Sequence, residues 1–139
     1  MNREIKFRAW DKVLKYMIQT GYDNWISFGG ECYTGSDRKY NTPNIEITKV
    51  KDLILMQYTG LKDGSGKEIY EGDIVEFHAN YCSIEYCGYK AGVITWDYVQ
   101  WKIVTSGYNY SIAEETDEFY YKCKIKGNIY ENPELINSK

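Results

Sequence analysis

The chain has 139 residues, with 17 Lys and Arg against 20 Asp and Glu, a single His and a net charge of −3. That length lets one domain, or one barrel with a smaller appendage, bury a core without a metal or disulfide. The acidic balance repels phosphate and so argues against a general nucleic-acid binder. Fifteen Tyr and 4 Trp against 3 Met and 2 Pro favour sheet over helix, because aromatic side chains suit half-buried pleated surfaces.

From the start, Met1 to Lys12 has no long apolar run and no small-residue cleavage site, so no signal peptide is expected. No stretch approaches the roughly 18 apolar residues of a membrane span. A soluble cytoplasmic protein with no membrane partner is expected, and in that reducing compartment Cys32, Cys82, Cys87 and Cys123 are free thiols. Between Glu4 and Trp10 polar and apolar residues alternate, placing Ile5, Phe7 and Ala9 on one face and Lys6 and Arg8 on the other, which predicts a half-buried strand. Asp11-Lys12 is a turn, and Lys15 to Ile18 returns as its hairpin partner. Arg3, Lys6, Arg8, Lys12 and Lys15 form a local basic patch with only Glu4 and Asp11 among them.

From Gly21 to Thr42 glycines and polar residues break regular structure, leaving loops around one short strand at Trp25 to Phe28. Ile45 and Ile47 then alternate with Glu46 and Thr48, and Leu53 to Thr59 reads as a buried strand. Lys62 to Lys67 is a connector whose glycines take positive φ readily. Glu68 to Phe77 resumes strand character with a bend at Gly72-Asp73. Gly92 to Trp96, Trp101 to Thr105 and Tyr120 to Tyr130 are three further strands. Helix is confined to Ser111 to Glu118 and the tail after Pro133. The order Glu-Gly-Asp-Ile-Val-Glu-Phe, Gly-Val-Ile-Thr-Trp, Trp-Lys-Ile-Val-Thr predicts a mainly β chain. Its core is an SH3-like, partly open barrel over about residues 56–135, with a β-rich N-terminal extension. The expected division is therefore a hairpin and loop region, residues 1–55, packing on a barrel domain with a short tail, residues 56–139.

Candidate chemistry is sparse. His78 is the one side chain that titrates near neutrality unperturbed, and no nucleophile motif accompanies it, so a surface or loop residue is expected. Cys82, Cys87, Cys123 and His78 formally make a Cys3His zinc set, but the spacing of four between Cys82 and Cys87 is wide for one. The simpler reading is a Tyr-rich loop, Ala79 to Lys90, holding ordinary small residues. Glu71, Asp73 and Glu76 sit close enough to gather a metal; more simply, Asp73 fixes the bend and the glutamates keep an edge soluble. The acidic runs, there and at Glu114 to Glu118, read as solvated faces. Gly64-Ser65-Gly66-Lys67 lacks the spacing of a phosphate loop. No metal or cofactor is expected. The remaining hint is aromatic: Trp96, Tyr98, Trp101, Tyr108, Tyr110, Tyr120 and Tyr121 cannot all fit inside a small barrel, so some must lie outside. Such residues stack bases or bury large area at protein interfaces, and the acidic charge favours the interface.

Three blocks of the chain resemble one family. Arg3 to Asp11, reading REIKFRAWD, is similar to its opening; MQYTGLKD from Met56 with GKEIYEGDIV from Gly66 is similar to its middle; and GNIYENPEL from Gly127 to its close. The blocks run from end to end, and the chain is identified as a member of the YopX family of phage and prophage proteins. The resemblance implies an origin in a phage or prophage of a Gram-positive bacterium, an SH3-like barrel core and no defined catalytic residue. Pro133 forces Asn132 out of the α region and then fits the first turn of a helix. Tyr70 is placed to cover the open end of the barrel. Tyr22 to Thr42 and Ala79 to Lys90 lie outside the blocks.

The expected function is that of a non-enzymatic accessory protein in the host cytoplasm that self-associates into a homo-oligomer and binds a phage or host macromolecule. Its interaction candidates are Trp96, Tyr98, Trp101, Tyr108 and Tyr110. The alternative is nucleic-acid binding through the barrel and the basic N-terminal strand, with Arg3, Lys6 and Arg8 as contacts. A metal-assisted hydrolase built on Glu71, Asp73 and His78 is the third reading.

Overall fold

A computed structural model describes residues 4–19, 24–26, 32–34, 48–50, 53–79, 88–112 and 123–137. The chain is mainly β, and it divides into two compact units: Ile5–Gln57, and Tyr58–Lys139 together with Met1–Glu4.

In the first unit, β1 (Phe7–Asp11) lies between β2 (Tyr16–Gln19) and the leading half of β6 (Leu53–Lys62), antiparallel to both, with Ala9 opposite Ile18 and Leu55. Those residues and Leu53 form a small core. The expected half-buried strand is corrected here. Ile5 is exposed and precedes β1, while Arg8, Ala9, Trp10 and Asp11 are all buried. A central strand has neighbours on both edges, and Arg8 stands across from buried Met56, with its Nη2 donating to Met56 Sδ at 3.7 Å. Its long stem can pack among apolar groups where a periodicity argument places only apolar residues.

A second small sheet joins β3 (Asn24–Ile26), β4 (Cys32–Thr34) and β5 (Thr48–Val50), all antiparallel. Cys32–Thr34 is strand where the sequence predicts loop. Three residues between glycine-rich segments are too few to show a period of two. The Ile45 to Ile47 alternation lies outside the described residues.

In the second unit, the rest of β6 pairs with β7 (Glu68–Tyr70). Then β8 (Asp73–Ala79), β9 (Gly88–Asp97), β10 (Gln100–Val104) and β11 (Asn109–Ser111) form an antiparallel meander, and β12 (Lys124–Asn128) returns to pair with β8. This five-stranded sheet curls as a half-barrel. Its inward residues, among them Val75, Phe77, Ile94, Trp101, Ile103 and Tyr110, make the core, with Tyr110 edge-on to Phe77 at 5.0 Å. Gly92 is dictated by that packing, since a Cβ there would lie 2.5 Å from Ile103 Cγ2 and 2.9 Å from the Val104 carbonyl oxygen. Of the expected helix at Ser111 to Glu118, Ser111 is the last residue of β11, opposite Lys102, and residues 113–118 lie outside the described set. After Pro133 a single helical turn, α1 (Glu134–Asn137), follows as expected.

Two aspartates, Asp73 and Asp63, hold turns on the β7, β8 and β12 side of this unit. Asp73 Oδ2 accepts the Tyr70 N–H at 2.8 Å across a bend whose Gly72 has φ 78. Gly72 N–H donates to the Ile94 carbonyl and its own carbonyl receives Ile129 N–H. Asp63 is buried; its Oδ1 accepts from Ser65 N–H (2.9 Å), Ser65 Oγ (2.6 Å) and Lys67 N–H (2.9 Å), and its Oδ2 from Ile125 N–H (3.1 Å). With Gly64 N–H on the Cys123 carbonyl at 2.9 Å, the 63–67 turn occupies part of the β12 edge, the kind of cover that keeps an edge from pairing elsewhere.

Candidate interaction face

The hairpin of β9 and β10 turns through two residues, Tyr98 and Val99, between the paired Asp97 and Gln100. Two-residue hairpin loops favour Asn, Asp and Gly, which tolerate positive φ; here Tyr98 takes φ 47. Tyr98 is 94% exposed and Val99 84%. The turn is held by Val99 N–H donating to the Asp97 carbonyl and by the Lys102 ammonium on the Asp97 carboxylate across the strands. Ser111 Oγ–H donates to Gln100 Oε1 at 2.8 Å, tying β11 to the same end.

Trp96 and Trp101 are directly opposite in the register, their rings edge to face at 4.9 Å. Trp96 shares the inward face with Ile94 but stands past the end of the core, 42% exposed, above the buried Trp101. The Trp101 indole N–H is buried with no acceptor among the described residues. Helix α1 lies against β9 and leaves Leu135 and Ile136 exposed. The β9–β10 tip is therefore an exposed aromatic and aliphatic surface, Tyr98 and Val99 with Trp96 beside them.

Of the expected contact residues, Trp96 and Tyr98 are on this surface. Tyr108 is exposed but sits by the β10–β11 turn, at the other end of β10, held by the Thr105 hydroxyl accepting its N–H at 3.1 Å. Trp101 and Tyr110 are corrected: both are core residues, because their strands alternate inward at these positions. Arg8 is buried in the first unit, Lys6 is half-buried and Arg3 lies outside the described residues. Val99, Leu135 and Ile136 were missed. A signal existed for the first, in the sequence WDYVQW, where two strand ends meet around an apolar pair in place of turn residues.

The residues considered for chemistry are dispersed among structural roles. Asp73 is engaged in the bend, Glu76 faces the Lys126 ammonium at 3.2 Å, and His78 meets the Tyr89 ring edge-on at 5.3 Å. Cys123 is a buried free thiol pushed up to about 12 by burial and by the Asp63 and Asp73 carboxylates, far from the range of a nucleophile or metal ligand. Cys82 and Cys87 lie outside the described residues. Among the described residues no group of three His, Cys, Asp or Glu is placed to hold a metal.

A curled β sheet with an exposed aromatic tip, on which Asp63, Asp73 and Asp97 hold turns, defines a β-rich half-barrel protein. More particularly, the chain belongs to the YopX family: the family model described as YopX protein matches residues 6–137. Among solved structures it is similar to protein EF1440 from Enterococcus faecalis, at 26% identity and TM-score 0.53, over 97% of this chain and 99% of that one. It is also similar in fold to YopX from Bacillus subtilis, at 18% identity and TM-score 0.61, over 93% and 95% of the two chains. No curated protein matches it.

Proposed function

We propose that this protein is a non-enzymatic accessory protein of a phage or prophage, acting in the bacterial cytoplasm by binding a macromolecule and by self-association. The observation that supports this reading is the Tyr98-Val99 tip with Trp96 beside it: large apolar side chains held in water by an ordered turn. Exposed aromatic groups on a firm scaffold are what interface anchors are made of, since they bury much area and lose little side-chain entropy. Nucleic-acid binding through the N-terminal strand has less support, because Arg8 is buried against Met56.

The test compares wild type with a Trp96→Ala/Tyr98→Ser/Val99→Ser variant. Light scattering after size exclusion reads self-association, and retention from host lysate reads partner binding. Loss of either in a variant with unchanged circular dichroism is the expected result. A variant that matches wild type in both assays removes this face from the reading, and a wild type that stays monomeric at high concentration removes the oligomer.

A further inference from the structure

The turn between β1 and β2 exposes five consecutive residues, Lys12-Val13-Leu14-Lys15-Tyr16, with Val13 69% and Leu14 67% exposed. Two aliphatic side chains stand at the apex with a lysine on each side. The only carboxylate of the turn, Asp11, is buried, and its Oδ1 accepts the N–H groups of Val13 and Leu14 at 2.8 Å each. Lys15 N–H donates to the Asp11 carbonyl at 2.9 Å while Lys15 takes φ 57. The charge presented outward is therefore positive, and the apex N–H groups already have partners.

We propose that this turn docks on the surface of an anionic phospholipid bilayer. Val13 and Leu14 enter the boundary between headgroups and acyl chains, Lys12 and Lys15 rest on acidic headgroups, and Tyr16 stays at the wet interface. Charge complementarity sets the sign of the partner, and the satisfied apex sets its kind. Backbone donors that enter a medium without water must bring their acceptors with them, and Asp11 supplies those of Val13 and Leu14. Among the described residues no helix is long and apolar enough to cross a membrane. The turn lies on the membrane surface and does not span it. One turn gives a weak, reversible contact; durability rests on the self-association proposed above, which lets several turns engage together.

Sedimentation of the full chain with vesicles tests this, using phosphatidylglycerol mixed into phosphatidylcholine against phosphatidylcholine alone, at low ionic strength. Retention on the anionic vesicles and not on the neutral ones is expected, falling as salt screens the lysines. Lys12→Gln and Lys15→Gln should each weaken partition about fivefold. The pair Val13→Ser/Leu14→Ser, which leaves the charge unchanged, should weaken it roughly tenfold or more. All four positions are exposed, so the variants keep the fold, and circular dichroism checks that. Failure of the wild type to sediment with anionic vesicles at millimolar lipid overturns the proposal, as does equal partition of wild type and the double serine variant. So does capture of an acidic protein through this turn without any vesicle binding.

Discussion

Two turns of the half-barrel unit are built around an aspartate and end in opposite ways. At residues 63–67 the Asp63 carboxylate collects four donors, from Ser65, Lys67 and Ile125, and the turn is folded inward around them. At Tyr98-Val99 the Asp97 carboxylate holds Lys102 and its carbonyl holds Val99 N–H, while the side chains at the tip point into water. The first arrangement closes a buried polar network, which is stabilising only when every member is satisfied. The second leaves apolar area uncovered and a tyrosine at positive φ, neither of which helps folding. A turn that serves the fold directs its hydrogen bonds inward; one that faces outward at a cost has its use elsewhere.

The contrast breaks most sharply at Asp63. Replacing it by Ala takes away the acceptor shared by the Ser65, Lys67 and Ile125 N–H groups and so unties the turn from β12, and a loss of about 2 kcal/mol is expected in urea unfolding. Burial pushes this carboxyl up, but the Ser65 hydroxyl and the Ile125, Lys67 and Ser65 N–H groups outweigh it and hold it below the ordinary 3.8. A group depressed on folding stabilises the protein above its unfolded value and loses that contribution as pH falls through the folded one. Stability should therefore drop below about pH 3.8 in wild type, with a shallower drop in Asp63→Asn. If Asp63→Ala unfolds with the wild-type midpoint, the inward turn is not holding the unit together.

A comparable effect is expected in the strand that carries the outward tip. Gly92→Ala drives a methyl into Ile103 and the Val104 carbonyl, and overpacking of that sort costs about 1–3 kcal/mol. The strand would then prove to be as firmly fixed by its packing as the Asp63 turn is by its hydrogen bonds, with only the tip left free of structural duty. A Gly92→Ala protein of wild-type stability would mean that β9 and β10 shift readily, and the tip could not be called ordered.

How far the sequence disclosed this division depends on what each residue answers to. Glycines and Asp73 around the bend, the apolar alternation of Ile74 to Phe77 and the Pro133 start of α1 are local signals, and the mainly β reading follows from them. Arg8 escapes a periodicity argument because its burial depends on the partner strand, where it faces Met56, whereas Trp101 and Tyr110 follow the inward alternation of their strands and become core only once Ile103 is seen to stand beside the one and opposite the other. Asp63 looks like part of a plain connector, since its donor from Ile125 comes from 62 residues away. Val99 is hidden by the opposite fault, a local anomaly in turn chemistry that reads as noise until the two tryptophans are seen to pair.

The smallest expected effect is the most telling for the outward turn. Left-handed backbone costs most residues with a Cβ about 1 kcal/mol, whereas Asn tolerates it through its short polar side chain. Tyr98 is almost wholly exposed, so its ring contributes little burial that a replacement could lose. Tyr98→Asn should then raise stability by a few tenths to about 1 kcal/mol, measured as a higher urea midpoint with an unchanged slope. The same variant should retain less partner and self-associate less than wild type, since the side chain removed is the one presented to solvent. Gain in folding with loss of binding is the signature of a position kept against the interest of stability. A Tyr98→Asn protein that loses stability would show that the tyrosine is held by contacts within its own unit, and the contrast between the two turns would collapse to one of polarity alone.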